Sequence, residues 1–324
     1  MNSIYLLTSL SVGFALCFLV GDPPNKFHPV AWLGKFVNLI VYKLKYPRDS
    51  KIEKLNGAIF VIILTTGICI LSQQFILHLY SFFGLIGFTI YAIIVIKTTV
   101  AIMTLERHAN IIILSLEKND LQGARKNLSR IVSRNTNSLD VQHIMSGTIE
   151  SIGESIVDAI ISPLFYYTIF GPSGALGYRI VNTLDSMIGY KDKFYADIGW
   201  MTAKADTVLN FIPARLSAIL MIFSAKLVGA DWKNSIHVLS KDHARTCSVN
   251  AGYPMSTMAG ALRIKLEKID EYTLGTDIEK LSIEKCRCAI KIMQVTALLF
   301  YTLVAIPVIL ILSMIGWWNI FFGL

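Results

Sequence analysis

The sequence predicts an all-α, polytopic integral membrane protein, with about four full transmembrane helices, half-buried or re-entrant helices and a helical cytoplasmic part. Three observations lead there. Of the 324 residues, 54% are hydrophobic and only 16% are charged, against roughly 25% charged in a soluble domain. Several apolar runs approach the ~20 residues that a bilayer core demands of a helix. These runs are too long for strands and lack regular alternation.

The elements follow in chain order. Residues 1–21 are apolar and uncharged. They lack the basic start and small-residue cleavage site of a signal peptide, so a retained span is expected at 3–20. Residues 57–96 carry no formally charged side chain. As one helix they would be roughly 60 Å long, about twice the hydrocarbon core. The run must therefore fold back between 73 and 84, giving spans at 57–77 and 80–100. A last span is expected at 292–316, kinked by Pro307, with Trp317 and Trp318 at the interface. The apolar runs 159–170, which contains Pro163, and 216–225 are short for a crossing and are expected to be half-buried or re-entrant. An amphipathic helical pattern covers 115–131. The whole chain is expected to form one membrane domain, with 104–290 as its cytoplasmic and half-buried catalytic region.

Net charge is +8 and the isoelectric point is about 9.1. Seven Lys/Arg lie between 22 and 56, namely Lys26, Lys35, Lys43, Lys45, Arg48, Lys51 and Lys54, and ten more lie between 230 and 291. The positive-inside rule puts both regions in the cytoplasm and the N-terminus outside. No nucleic-acid-binding motif accompanies the charge, so nucleic acid is not an expected partner. The five cysteines are scattered. Cys286 and Cys288 have the wrong spacing for a C-x-x-C metal site, and no disulfide framework is expected.

The densest polar signal runs from Glu150 to Lys191. Glu150, Glu154 and Asp158 recur every fourth residue along one side of a helix, where like charges repel unless something neutralises them. Carboxylates beside an apolar helix suit Mg²⁺, which takes a few carboxylates plus ligand phosphate; a solvated acidic face is the plainer reading. Arg179, Asn182 and Asp185 follow at i, i+3 spacing, with Lys191 beyond. The run GPSGALG at 171–177 lacks the G-K-[ST] ending of a phosphate loop. Asp206 and Asn210 share a face, and Arg215 follows Pro213.

Three loops add to this. In GDPPNKFHPVAWLGK, Pro23, Pro24 and Pro29 favour a stiff turn holding Asp22 and His28. In SRNTNSLD, Asn137, Ser138 and Asp140 all offer helix-cap chemistry, with Arg130 and Arg134 nearby to attract an anion. Around 248–252, Ser248, Asn250 and Gly252 can present N–H groups to an anion. Simple caps and turns would explain each loop. No Ser–His–Asp order, HExxH or CxxC array is present. Residue physics alone leads to a membrane protein with a carboxylate-rich, partly cationic cytoplasmic pocket.

Taken together, these motifs resemble the CobD/CbiB family of cobalamin-biosynthesis membrane proteins. The matching segments are GDPPNKFHPVAWLGK, SRNTNSLD, IESIGESIVDAIISPLFYYTIFGPSGALGYRIVNTLDSMIGYK, GWMTAKADTVLNFIPARL and SVNAGYPMSTMAGAL, spread over residues 21–262. The resemblance implies an amide-forming ligase that uses ATP and Mg²⁺. It joins adenosylcobyric acid to aminopropanol or aminopropanol phosphate, in the cytoplasmic membrane with its site facing the cytoplasm. It further implies a lipid bilayer as partner and other membrane-bound cobalamin-assembly enzymes as neighbours. Glu150, Glu154, Asp185 and Lys191 are then the expected catalytic residues. Glu154, Asp158, Asp185 and Asp206 are the expected metal ligands. Asp22, His28, Arg134, Arg179, Asn182, Asn210, Arg215, Ser248 and Asn250 are expected to hold substrate. The chain departs from the family pattern at Asn135 and Thr207, where acids are usual, at Ser155 and Thr246, and after Leu266, where a Gly-Gly pair is absent. A non-catalytic membrane sensor, like the AmpE-type proteins, is the alternative. A transporter would place ionisable residues inside full spans, and the clear spans here have almost none.

Overall fold

The computed structural model describes residues 3–23, 26, 28–46 and 49–322. Pro24 and Arg48, both named above, lie outside the described residues. Helices account for 77% of the chain. Fourteen are described: α1 Ser3–Leu19, α2 Pro29–Leu44, α3 Ser50–Thr99, α4 Ile102–Glu117, α5 Leu121–Leu128, α6 Val141–Ile156, α7 Ser162–Ile188, α8 Trp200–Leu209, α9 Phe211–Leu227, α10 Trp232–Asp242, α11 Gly252–Leu262, α12 Ile283–Phe300, α13 Ile306–Met314 and α14 Trp317–Phe322. One antiparallel hairpin, β1 Lys265–Lys268 and β2 Tyr272–Gly275, interrupts them. The chain divides into two compact units. One comprises Met1–Ala101, Ser162–Leu209 and Leu303–Leu324; the other comprises Ile102–Ile161 and Asn210–Thr302.

In the first unit the long uncharged run folds back as its length requires. Helix α3 breaks at Gly84 (φ 56°, ψ −139°), a backbone conformation that β-carbons disfavour. The Tyr91 hydroxyl then donates to Ser72 Oγ at 2.8 Å. In a straight helix these residues would stand roughly 28 Å apart. Helix α7 repeats the device at Gly171 (φ 65°, ψ −157°). Tyr166 and Tyr178 stack with ring centroids 5.4 Å apart, where a straight helix would separate them by roughly 18 Å. The first arm of α7, residues 162–170, is therefore roughly 14 Å long. The glycines of GPSGALG serve packing. A Cβ on Gly174 would lie 2.5 Å from the Tyr166 carbonyl oxygen, and one on Gly177 would lie 2.7 Å from Cys69 Sγ. Helix α2 packs Val37 and Val41 against Val61, Ile180, Leu184 and Ile188.

The other unit packs α9, α11 and α12 together, sets β1 on α6, and buries Ile112, Ala124, Leu128, Leu139 and Ile144 in a core of its own. The amphipathic pattern at 115–131 resolves into α4 and α5. Asn119 turns left-handed between them (φ 56°), and Asp120 caps α5 by accepting from the Gly123 N–H at 2.8 Å. Asp140 is the capping residue chosen from the three candidates; it accepts from the His143 N–H at 2.8 Å.

The prolines are accommodated in two ways. Pro29 opens α2 as its first residue, where its missing N–H costs nothing. Pro307 does not break the last run. A π-turn at Tyr301–Ala305 precedes it, and the widened turn accommodates the proline ring and the missing donor. Pro163 has the same arrangement, a π-turn at Val157–Ile161. Trp318 is 1% exposed, so it is a packing residue and not part of an interfacial belt. Among the described residues, Ser50–Glu117 and Ile283–Met314 are helical runs long and apolar enough to cross a membrane; α8 with α9 is a third candidate, and α1 is a shorter apolar helix. All five cysteines are free.

Candidate functional site

The acidic series on α6 does not form one face of equal exposure. An i, i+4, i+8 series drifts about 80° around an α-helix, and here that drift separates three environments. Glu150 is 3% exposed, Glu154 is exposed and Asp158 is half-buried. Glu150 pairs with Arg134. It also accepts from the Ser146 hydroxyl at 2.6 Å and from the Tyr272 hydroxyl at 2.9 Å. The Glu267 N–H donates to Ser146 Oγ at 2.9 Å, and Arg134 reaches the Glu267 carbonyl at 3.4 Å. Burial, then the Glu150 charge, pushes the Tyr272 phenol up, so it remains a donor. Glu150 and Arg134, both expected at the chemistry, thus satisfy each other and clamp the β-hairpin to α6.

Glu154 and Asp158 keep the more accessible positions. Asp158 sits on the π-turn, which packs against α9 and α12. Among the described residues, no three His, Cys, Asp or Glu side chains gather as a metal site. A cage made wholly of protein ligands therefore does not fit. A hydrated Mg²⁺ carried by phosphates needs only one or two carboxylates, which Glu154 and Asp158 can supply.

In the same unit a cationic site links three predicted residues, Arg215, Asn250 and Ser248. Asn210, 2% exposed, stands at the start of α9. One turn on, the Arg215 guanidinium lies 3.4 Å from the Phe211 ring centroid and 4.3 Å from that of Tyr253. It donates to the Phe211 carbonyl at 2.7 Å and to Asn250 Oδ1 at 3.2 Å. Ser248 Oγ accepts from the Asn250 and Ala251 N–H groups, each at 3.3 Å, at the entrance to α11. Two aromatic faces and an amide thus hold a guanidinium at a helix N-terminus, which is chemistry suited to an anion.

The first unit holds the remaining candidates. Arg179 donates to Asn182 Oδ1 and Asn182 donates to Asp206 Oδ1, both at 3.3 Å. Arg179 Nε is buried and finds no partner among the described residues. Asp185 lies over Gly189, where a Cβ would come within 1.9 Å of its Oδ1. Lys191 is exposed beyond the end of α7. His28 caps α2, its Nδ1 accepting from the Val30 N–H at 3.2 Å. Burial lowers the His28 pKa most; the Asp22 charge opposes this and the Arg179 charge adds to it. Asp206 lies in the last turn of α8, and Asn210 stands between α8 and α9.

Sequence reasoning missed Ser146, Glu267 and Tyr272. Ser146 and Glu267 also border a cleft of about 380 Å³ lined by Gln142, His143, Lys265 and Lys280, among others, whereas Tyr272 faces Glu150. The available signal was the short alternation KLEKIDEYTLG, with Asp270 left-handed at its turn (φ 63°).

A family profile described as CobD/Cbib protein matches residues 10–301. The chain is 38% identical over 306 residues to a protein of Methanothermobacter thermautotrophicus named probable cobalamin biosynthesis protein CobD, covering 94% of this chain and 98% of that one. It is 35% identical over 285 residues to the cobalamin biosynthesis protein CobD of Dehalococcoides mccartyi, covering 88% and 92%. It is also 35% identical over 315 residues to a probable CobD of Methanocaldococcus jannaschii, covering 92% and 99%. No solved structure matches. On these grounds the chain belongs to the CobD/CbiB family.

Proposed function

We propose that this protein works in cobalamin biosynthesis as a membrane ligase that joins adenosylcobyric acid to aminopropanol or its phosphate through an amide bond. The observation that carries this reading is family membership across residues 10–301. A carboxylate does not condense with an amine unaided. Mg-ATP would supply a phosphoryl or adenylyl group that makes one carboxylate oxygen a leaving group.

The residues then have separable tasks. Arg215, steadied by Asn250 beside Ser248 and Asn210, holds an anionic substrate group. Glu154 and Asp158 take the hydrated metal. In the first unit, Asp185 and Asp206 hold a cation, either the amine or a metal, while Arg179 and Asn182 orient a phosphate or a corrin carboxamide. Lys191 offers a mobile positive charge, and His28 with Asp22 lines the same unit's entrance to α2. Glu150 and Arg134 keep α6 and the β-hairpin in register. The Lys/Arg distribution supports a cytoplasmic face for this chemistry.

The test uses detergent-purified protein with adenosylcobyric acid, Mg-ATP and either amine, with product detected by mass spectrometry. A cobinamide or cobinamide phosphate is the expected product. Absence of product with both amines overturns the ligase reading.

A further inference from the structure

Helix α2 has two faces of unusual composition. One packs into the first unit through Val37 and Val41, with Leu33, Leu44 and Met187 beside them. The opposite face presents Trp32, Phe36, Leu39 and Tyr42 to the outside, with Leu39 72% exposed. Lys35 and Lys43 are exposed on that same face, because positions 32, 35, 36, 39, 42 and 43 fall within about 120° of each other around a helix. Trp32 is fixed in place, its indole N–H donating to the Lys26 carbonyl at 2.9 Å. No acid occurs between residues 23 and 48, which hold five Lys/Arg. Of these, Lys45 is neutralised by Glu53 at 3.0 Å.

In water, four large apolar side chains in a row on one helix would be a liability. A headgroup layer removes it. Aromatic rings settle at the level between acyl chain and headgroup, and lysine stems run along apolar surface while their ammonium groups reach phosphate. We infer that α2 is an interfacial helix whose outer face binds anionic phospholipid headgroups, with Lys35 and Lys43 as the phosphate-reading cations and Trp32 and Phe36 as the depth anchors. Charge complementarity selects the lipid: a cationic, acid-free face discriminates for anionic over zwitterionic headgroups. Helix α2 packs against α3, which belongs to a run long and apolar enough to cross a membrane. The inference rests on the membrane reading of the chain and is independent of the ligase reaction.

The experiment reconstitutes the full chain in nanodiscs of equimolar phosphatidylcholine and phosphatidylglycerol, then counts lipids retained on release by native mass spectrometry. The wild type should retain phosphatidylglycerol over phosphatidylcholine by about tenfold, and Lys35→Gln/Lys43→Gln should bring the ratio near parity. Both lysines are exposed, so the double variant should keep the wild-type thermal midpoint. Brominated lipids should quench a share of the indole fluorescence that Trp32→Phe removes. Equal retention of both lipids by the wild type overturns the inference, as does an unchanged ratio in the double variant. Trp32 fluorescence that bromine does not reach also overturns it, because the face is then covered by protein, such as a second copy of the chain.

Discussion

Two polar networks in this molecule look alike in sequence and differ in construction. Each combines an arginine, a carboxylate and a neutral side chain. On α6, Arg134 and Glu150 are joined at close range, and Ser146 and Tyr272 take further positions on the carboxylate at 2.6 and 2.9 Å. On α7 and α8, the links from Arg179 to Asn182 and from Asn182 to Asp206 are each 3.3 Å, and Arg179 Nε has no partner among the described residues. The first network is saturated and holds two elements together. The second retains donor capacity in a buried setting, which a ligand would use. A buried pair resists loss of one partner, whereas an incompletely satisfied group gains when a ligand completes it.

The largest expected effect is on the saturated network. Glu150→Ala leaves the half-buried Arg134 without its main counter-charge and should cost about 3 kcal/mol of stability. A thermal or denaturant melt in detergent reads it. A variant that melts like the wild type would remove the contrast between the two networks.

Next comes the loose network. Arg179→Gln should lower amide formation by about 100-fold, or ~2.7 kcal/mol of activation free energy, while its melting midpoint stays close to that of the wild type. Steady-state assays with Mg-ATP beside the melt give both readings. A large loss of stability with normal turnover would show Arg179 to be structural, like Arg134.

A smaller effect separates charge from hydrogen bonding within the clamp. Tyr272→Phe keeps the ring and removes one donor to Glu150. It should cost about 1–3 kcal/mol, the range for leaving a buried acceptor short of a partner. Hydrogen exchange should show the loss concentrated in the β-hairpin. Uniform loosening of the whole unit would argue against a local clamp.

How much of this was legible depends on the range of each interaction. The fold-back of the uncharged run follows from its length against a bilayer's thickness, and Gly84 falls at the edge of the expected interval. The cap at Asp140 is local, and the choice among Asn137, Ser138 and Asp140 needed only coordinates. The apolar run 159–170 was visible in the sequence, whereas the break that Gly171 puts at its end needed coordinates. The distinction between Glu150 and Glu154 was not visible. Glu150 is buried by Tyr272, 122 residues later, on a hairpin whose strands are four residues each. Periodicity marks a shared side of α6 but carries no information about what covers it. At Pro307 the sequence flags the missing donor, but not the π-turn at Tyr301–Ala305 that precedes it.

The smallest effect reads the loose network from its margin. The His28 pKa is lowered first by burial, with Arg179 adding to the shift and Asp22 opposing it. Its Nδ1 must stay unprotonated to accept the Val30 N–H at 3.2 Å. With a folded pKa below the unfolded value of about 6.5, the unfolded chain takes up the proton first as pH falls. The stabilisation from the neutral cap is therefore complete above about pH 6.5 and is lost as pH drops through that value toward the folded pKa. The midpoint of melting should decline over that window, and His28→Asn, which keeps a capping acceptor without the titration, should flatten the decline. Removing the Arg179 charge should raise the His28 pKa, measured by NMR on ¹⁵N-histidine-labelled protein. If Arg179→Gln left it unchanged, the Arg179 charge would not reach the start of α2, and the loose network would end at Asn182 and Asp206.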